Sequence, residues 1–298
     1  MKNLFKITVL VSFFVIFSAF DSEIPQKQEK VLVGETINLE KAISDKLISV
    51  NFVSNGQYAG KSIIAEMRNL TATAIKICVP AGTYFQAPSD KEQDLLIPQD
   101  EYFALFSNQK KSITLNGFCT NLANKSPKEG GKFKLAADKT PKEMAKLLTF
   151  LKGKKYEDHT LQDAIWSITN QSSVSSVYGE DAPGIESLRK HLFEITKQKE
   201  TWYTSPQTIE VLEDGTINRE TASIKGDLIY TTKKGAKVHS EVVNPEGVVK
   251  IKTNQRTMEI SGELSYNFKV EVQGWKKGTY KVNVIEDNKV IKTYDFVV

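Results

Sequence analysis

Cysteine and histidine are both scarce in this chain. Two cysteines, Cys78 and Cys119, and three histidines occur in 298 residues. His159, His191 and His239 fall in three unrelated segments, which argues against a metal cluster or a catalytic triad. No G-x-S-x-G, Walker loop, H-E-x-x-H or G-x-G-x-x-G occurs. No apolar run reaches the roughly eighteen residues of a spanning helix, and mean hydropathy is −0.32, so a multi-pass membrane protein is excluded. There is no heptad array, long charge block or internal repeat. Forty Lys and Arg against 36 Asp and Glu give a net charge of +4, too weak an excess to point to a nucleic acid. An acidic pair for glycoside chemistry cannot be picked from 36 carboxylates by sequence.

What is present is an ordinary globular composition, 40% hydrophobic and 26% charged, on a length that suggests about two domains. Lys2 and Lys6 precede an uncharged apolar run from Ile7 to Phe20, followed by charged, Pro-containing sequence. That is the pattern of a signal peptide over residues 1–20, and it predicts export to the periplasm, cell surface or exterior. Its loss removes Lys2 and Lys6 from the 40 basic residues, which leaves 38 against 36 acidic, or +2. Ser18-Ala19-Phe20 is a weak cleavage site, so an uncut segment would be the chain's one contact with a membrane.

Residues 31–200 read as a β-rich, sandwich-like domain with a helical part at 140–198. Short Val/Ile/Phe/Thr-rich runs at Leu47–Val53, Lys61–Leu70, Thr73–Val79, Tyr102–Phe106 and Ser112–Phe118 alternate with turn signals. Asn38 is placed to cap a short helix at Leu39–Asp45. Thr140-Pro141-Lys142-Glu143 reads as a capping box opening a helix that Gly153 ends. A second helix is expected after Thr160, with Asp163 answering its cap, and a third near Pro183. Three short helices with no large core of their own are expected to pack on the preceding sheet. Residues 201–207 read as a linker. Residues 208–298 carry about seven alternating strands, the signature of an immunoglobulin-like sandwich, with Tyr280 at a tyrosine-corner position. The fold class is thus mainly β with an α-helical insertion.

The candidate site residues are Cys119, Gln162 and Cys78. After export the two cysteines either bridge or stay as buried thiols. Cys119 shares its strand face with Ile113 and Leu115, whereas Cys78 shares its face with Lys76, and that mismatch argues against a bridge. Three sequons, at Asn69, Asn124 and Asn170, matter only in a host that glycosylates.

Phe118-Cys119 followed by Leu161-Gln162-Asp163-Ala164-Ile165-Trp166 resembles the aromatic-Cys and Thr-Gln-x-Ala-Ile-Trp motifs of thioester domains in bacterial surface adhesins. The resemblance implies a Cys119–Gln162 thioester that acylates an amine, with the helix N-terminus lowering the thiolate pKa. Gln93, in Gln93-Asp94-Leu95-Leu96-Ile97, looks like that family's apolar-flanked Gln motif. Leu161 stands where the family has Thr, and Thr120 where it has Trp. The segment from Leu39 to Pro127, on Leu70-Thr71-Ala72 through Val79-Pro80-Ala81-Gly82-Thr83, then Gln93-Asp94 and Phe118-Cys119, also resembles exported β-rich modules of unknown function. The C-terminal stretch Gly274-Trp275-Lys276-Lys277-Gly278-Thr279-Tyr280 is similar to sorting domains of the type IX secretion system, without their Pro-Asn-Pro entry. The sequence reading is an exported, non-enzymatic binding or adhesion protein of the envelope or surface, with a protein or glycan partner and no cofactor or metal. The alternatives are a thioester module and a secreted protein with a sorting sandwich.

Overall fold

The structure is a computed structural model that describes residues 35–136 and 140–298. The expected signal peptide lies outside the described residues. The first part contains β1 (Thr36–Asn38), α1 (Leu39–Ser44), β2 (Ile48–Ser54), β3 (Ile63–Asn69), β4 (Ile75–Val79), β5 (Tyr84–Gln86), β6 (Leu95–Leu96), β7 (Glu101–Leu105), β8 (Lys110–Leu115), β9 (Phe118–Cys119) and β10 (Lys132–Ala136). The strands form a small sheet, β1-β4-β7, and a long one, β8-β3-β2-β10-β5-β6-β9. Period-2 patterning sets which face is buried. In β3, Ile63, Ala65 and Met67 are buried while Glu66 and Arg68 face solvent. Both sheets contribute to one core, with Ile77 and Val79 from β4, Ala65 and Leu115 from the long sheet, and Phe52 edge-on to Phe85 at 4.7 Å. Asn38 caps α1 as expected, its Oδ1 accepting the Glu40 N–H at 2.8 Å.

The helical part is α2 (Lys142–Leu151), α3 (Asp158–Thr169), a 3₁₀ turn at Val174–Ser176 and α4 (Ala182–Thr196). Two cap expectations are corrected. Pro141 occupies the N-cap of α2 with no side-chain cap bond, because Thr140 Oγ1 donates instead to the Gly82 carbonyl at 3.2 Å. Helix α3 starts at Asp158, so Thr160 lies in its first turn and donates to the Tyr178 carbonyl at 2.6 Å. The expectation of helices without a core is also corrected. Met144, Leu147, Leu151, Ile165, Leu188 and Leu192 form a buried cluster between the helices, and Leu96 and Phe118 join it from β6 and β9. Three amphipathic faces turned inward bury enough apolar surface to make their own core.

The chain continues through β11 (Tyr203–Thr204), β12 (Gln207–Val211), β13 (Ile217–Thr221), β14 (Ser223–Thr232), β15 (Lys237–Val243), β16 (Val249–Lys252), β17 (Arg256–Thr257), β18 (Gly262–Glu271), β19 (Thr279–Glu286) and β20 (Lys289–Val297). Sheets β11-β14-β18 and β16-β15-β19-β20 face each other over Ile224, Phe268, Val282, Val284 and Phe296, with β17 pairing β15. Labelled in chain order, the strands form an A-B-E sheet against a C′-C-F-G sheet, an immunoglobulin-like sandwich. Tyr280, at the start of the F strand, is buried, and its hydroxyl donates to the Lys276 carbonyl at 3.0 Å, the tyrosine-corner bond. Tyr203 and Thr204, inside the segment read as a linker, pair with β14 as the first sandwich strand. They lie so close that a Cβ on Gly226 would meet the Trp202 carbonyl at 2.5 Å. Hairpin β12–β13 packs Ile209 and Ile217 against the core of the first part, not into the sandwich. Among the described residues, no helix is long and apolar enough to cross a membrane.

Candidate functional site

The polar centre of the first part is built on α3. Its buried stretch runs from Thr160 to Ser167. Ala164 and Ile165 join the helical core, while Trp166 packs into the core of the sheets. Gln162 and Trp166 are four residues apart and therefore share one side of the helix.

Gln162 meets Cys119. Its Oε1 accepts the Cys119 N–H at 3.0 Å and its Nε2 donates to the Cys119 carbonyl at 2.8 Å. The same N–H reaches the Tyr58 carbonyl at 3.0 Å. Strand β9 is two residues long and pairs on one side with β6. The Gln162 carboxamide bonds to it as a neighbouring strand's peptide would. Gln93, also fully buried, binds main chain just beyond, taking the Asn121 N–H at 3.2 Å and giving to the Asn124 carbonyl at 3.0 Å. Two glutamines thus hold the segment 119–124 by its backbone.

The thiol chemistry departs from the expectation. Burial pushes the Cys119 thiol well above its ordinary range, and the charge of Asp94 adds to the effect. The site therefore favours the neutral thiol, and desolvation outweighs any help from the helix N-terminus. Cys78 lies elsewhere, on β4 opposite Tyr102, and both cysteines are free thiols. Cys78 is half-buried, and burial raises its pKa while a bond from Tyr102 opposes the rise. The alternative of a disulfide is thereby corrected: Cys119 points into the core, whereas Cys78 sits on the solvent-facing side of the small sheet with Lys76.

Asp163 does not answer a cap. Its Oδ1 accepts from Arg219 Nη2 at 2.8 Å, an ion pair whose side chains are 2% and 11% exposed. Arg219 comes from β13, lies 4.7 Å over the Trp166 ring, and also donates to Ser172 Oγ at 3.2 Å. Tyr58 stacks on Trp166 at 5.9 Å. Burial raises the Asp163 carboxyl to about 7, against the pull of Arg219. Trp166 Nε1 and Arg219 Nε are buried donors without an acceptor. Sequence reasoning missed Arg219 because its partner lies 56 residues away.

Other expectations resolve at single residues. Asn69 and Asn124 spend their side-chain amides on carbonyls, at Thr73, Leu105 and Phe106 for the first and at Asp90 and Glu92 for the second. A glycan on either Nδ2 would take one of the two hydrogens those bonds use. Among the large aromatics, Tyr102 is 56% exposed, while Trp202 and Trp275 pack at the edge of the sandwich core. Among the described residues, no three His, Cys, Asp or Glu side chains converge on a point that a metal could occupy. Comparison with protein-family models, curated proteins and solved structures finds no match.

Proposed function

We propose that the chain is an exported, non-enzymatic binding protein that acts in the cell envelope or at the cell surface on a protein or glycan partner. The observation that carries this reading is the outer edge of β7. Among the described residues that strand pairs with β4 alone, so its other side has no strand partner. Tyr102 and Phe106 lie on one side of this strand and its end, 56% and 51% exposed. Lys76 sits 5.2 Å from the Tyr102 ring. Aromatic side chains beside an open strand edge supply the contact area and backbone pairing that interfaces use. The charge and apolar pattern of residues 1–20 supports export. The test is binding of the labelled chain to isolated envelopes of the producing organism, with protease and glycosidase treatment separating the two partner classes. Tyr102→Ala with Phe106→Ala is expected to weaken it at least about tenfold.

A second reading, an internal thioester, rests on the Gln162 side chain lying against the Cys119 main chain. Cys119 Sγ would add to Gln162 Cδ and expel ammonia. A ligand amine would then take the acyl group, and the Cys119 thiol would leave. Intact mass decides: a thioester lacks the mass of one ammonia and gains that of methylamine on treatment.

A further inference from the structure

The two sheets of the C-terminal sandwich part at one end. Along β14 and β18 the opposed pairs Ile224–Val270, Gly226–Phe268, Leu228–Tyr266 and Tyr230–Leu264 alternate onto one face. In the first two pairs Ile224, Phe268 and Val270 are buried. At the last two the face opens: Tyr266 is 37% exposed and Tyr230 and Leu264 are half-buried, although all three point between the sheets. The facing wall is short there, because β17 pairs only two residues of β15. The result is a cleft of about 320 Å³, at the small end of the size range of ligand pockets. Its apolar lining is Leu228, Val238, Met258, Leu264 and Val284, with Tyr230 and Tyr266 beside them.

The charge of the cleft is one-sided. No Asp or Glu lines it, and Arg256 does. Arg256 makes no ion pair among the described residues. Ser240 and Thr253 add hydroxyls. Burial raises the Tyr230 hydroxyl and Arg256 opposes the rise, so the guanidinium lies within electrostatic reach of the tyrosine wall. A cation without a counter-ion at the rim of an aromatic, apolar cleft complements a molecule with an apolar body and one negative group.

We propose that this cleft binds a small organic monoanion, its aromatic or aliphatic body against Tyr230 and Tyr266 and its carboxylate or sulfonate on Arg256. The site is separate from the β7 edge, so either proposal can fail alone. The probe is 1-anilinonaphthalene-8-sulfonate, titrated by fluorescence into the purified chain, with N-phenyl-1-naphthylamine as the analogue lacking the sulfonate. The expected result is saturable binding of the sulfonate at one site per chain, about tenfold weaker in Arg256→Gln and weaker again in Tyr266→Ala. The neutral analogue should bind more weakly and ignore Arg256→Gln. Thermal unfolding of each variant confirms that the sandwich is intact. Absence of saturable binding, equal affinity in parent and intact variants, or equal affinity for the two probes would overturn the proposal.

Discussion

Gln162 and Cys119 are joined by two hydrogen bonds, Oε1 to the Cys119 N–H at 3.0 Å and Nε2 to its carbonyl at 2.8 Å, both buried. The side chain replaces a missing strand. Gln162→Ala strips the carbonyl of that donor in a dry site, a loss of about 2–4 kcal/mol of stability when the two lost bonds and the desolvated carbonyl are taken together. Gln162→Glu keeps the shape but sets a carboxylate oxygen against the Cys119 carbonyl, so it should destabilise as well. Urea midpoints at neutral pH measure both. A parental midpoint for Gln162→Ala would remove the clamp.

The two thiols should separate by accessibility. Cys78 is half-buried on the solvent-facing side of β4 and Cys119 is fully buried. Iodoacetamide should label the folded chain once, at Cys78, and label Cys119 only in denaturant. Peptide mapping reads this directly. Labelling of neither thiol in denaturant without reductant would show a disulfide.

The buried pair Asp163–Arg219 sets a pH dependence of stated sign. Burial raises the Asp163 carboxyl to about 7, against an ordinary value near ~3.9 in the unfolded chain. The folded chain therefore holds this proton over a window where the unfolded chain has lost it. The stability from this group is full below about pH 4 and is lost as pH rises through the folded value. Asp163→Asn mimics the protonated form and abolishes the slope. The urea midpoint of the variant should gain on the parent between about pH 4 and pH 8, with the two closest in acid. Parallel curves would mean that Arg219 holds the carboxylate charged throughout.

The tyrosine corner gives a smaller effect. Tyr280→Phe removes the bond to the Lys276 carbonyl and keeps the ring on Phe296 and Trp275. A loss of about 1 kcal/mol is expected, read from thermal or urea unfolding.

Much of the sandwich was legible because its strands are long and alternate. Ser223–Thr232 and Thr279–Glu286 are ten and eight residues long, and Tyr280 announced its role through Gly278-Thr279. Strands of two or three residues, such as β6 and β9, carry no period to read. Their existence depends on partners, Leu95 opposite Cys119, that only the folded chain brings together. The same limit hid Arg219, whose value lies in its distance from Asp163 along the chain. Cys78 was legible in part, since alternation with Lys76 put it on the solvent-facing side of its strand. The thiol of Cys119 was misjudged because burial, not the nearby helix end, controls its protonation.

The central claim is that the exposed edge of β7 makes this chain a binding protein. The measurement that tests it most directly is a binding isotherm of the labelled chain on isolated envelopes, run beside the Tyr102→Ala, Phe106→Ala double variant of equal thermal stability. The account predicts saturable binding by the parent and at least a tenfold weaker isotherm for the double variant, about 1.4 kcal/mol or more from the two aromatics. Superimposable isotherms, or no saturable binding by the parent, would contradict it.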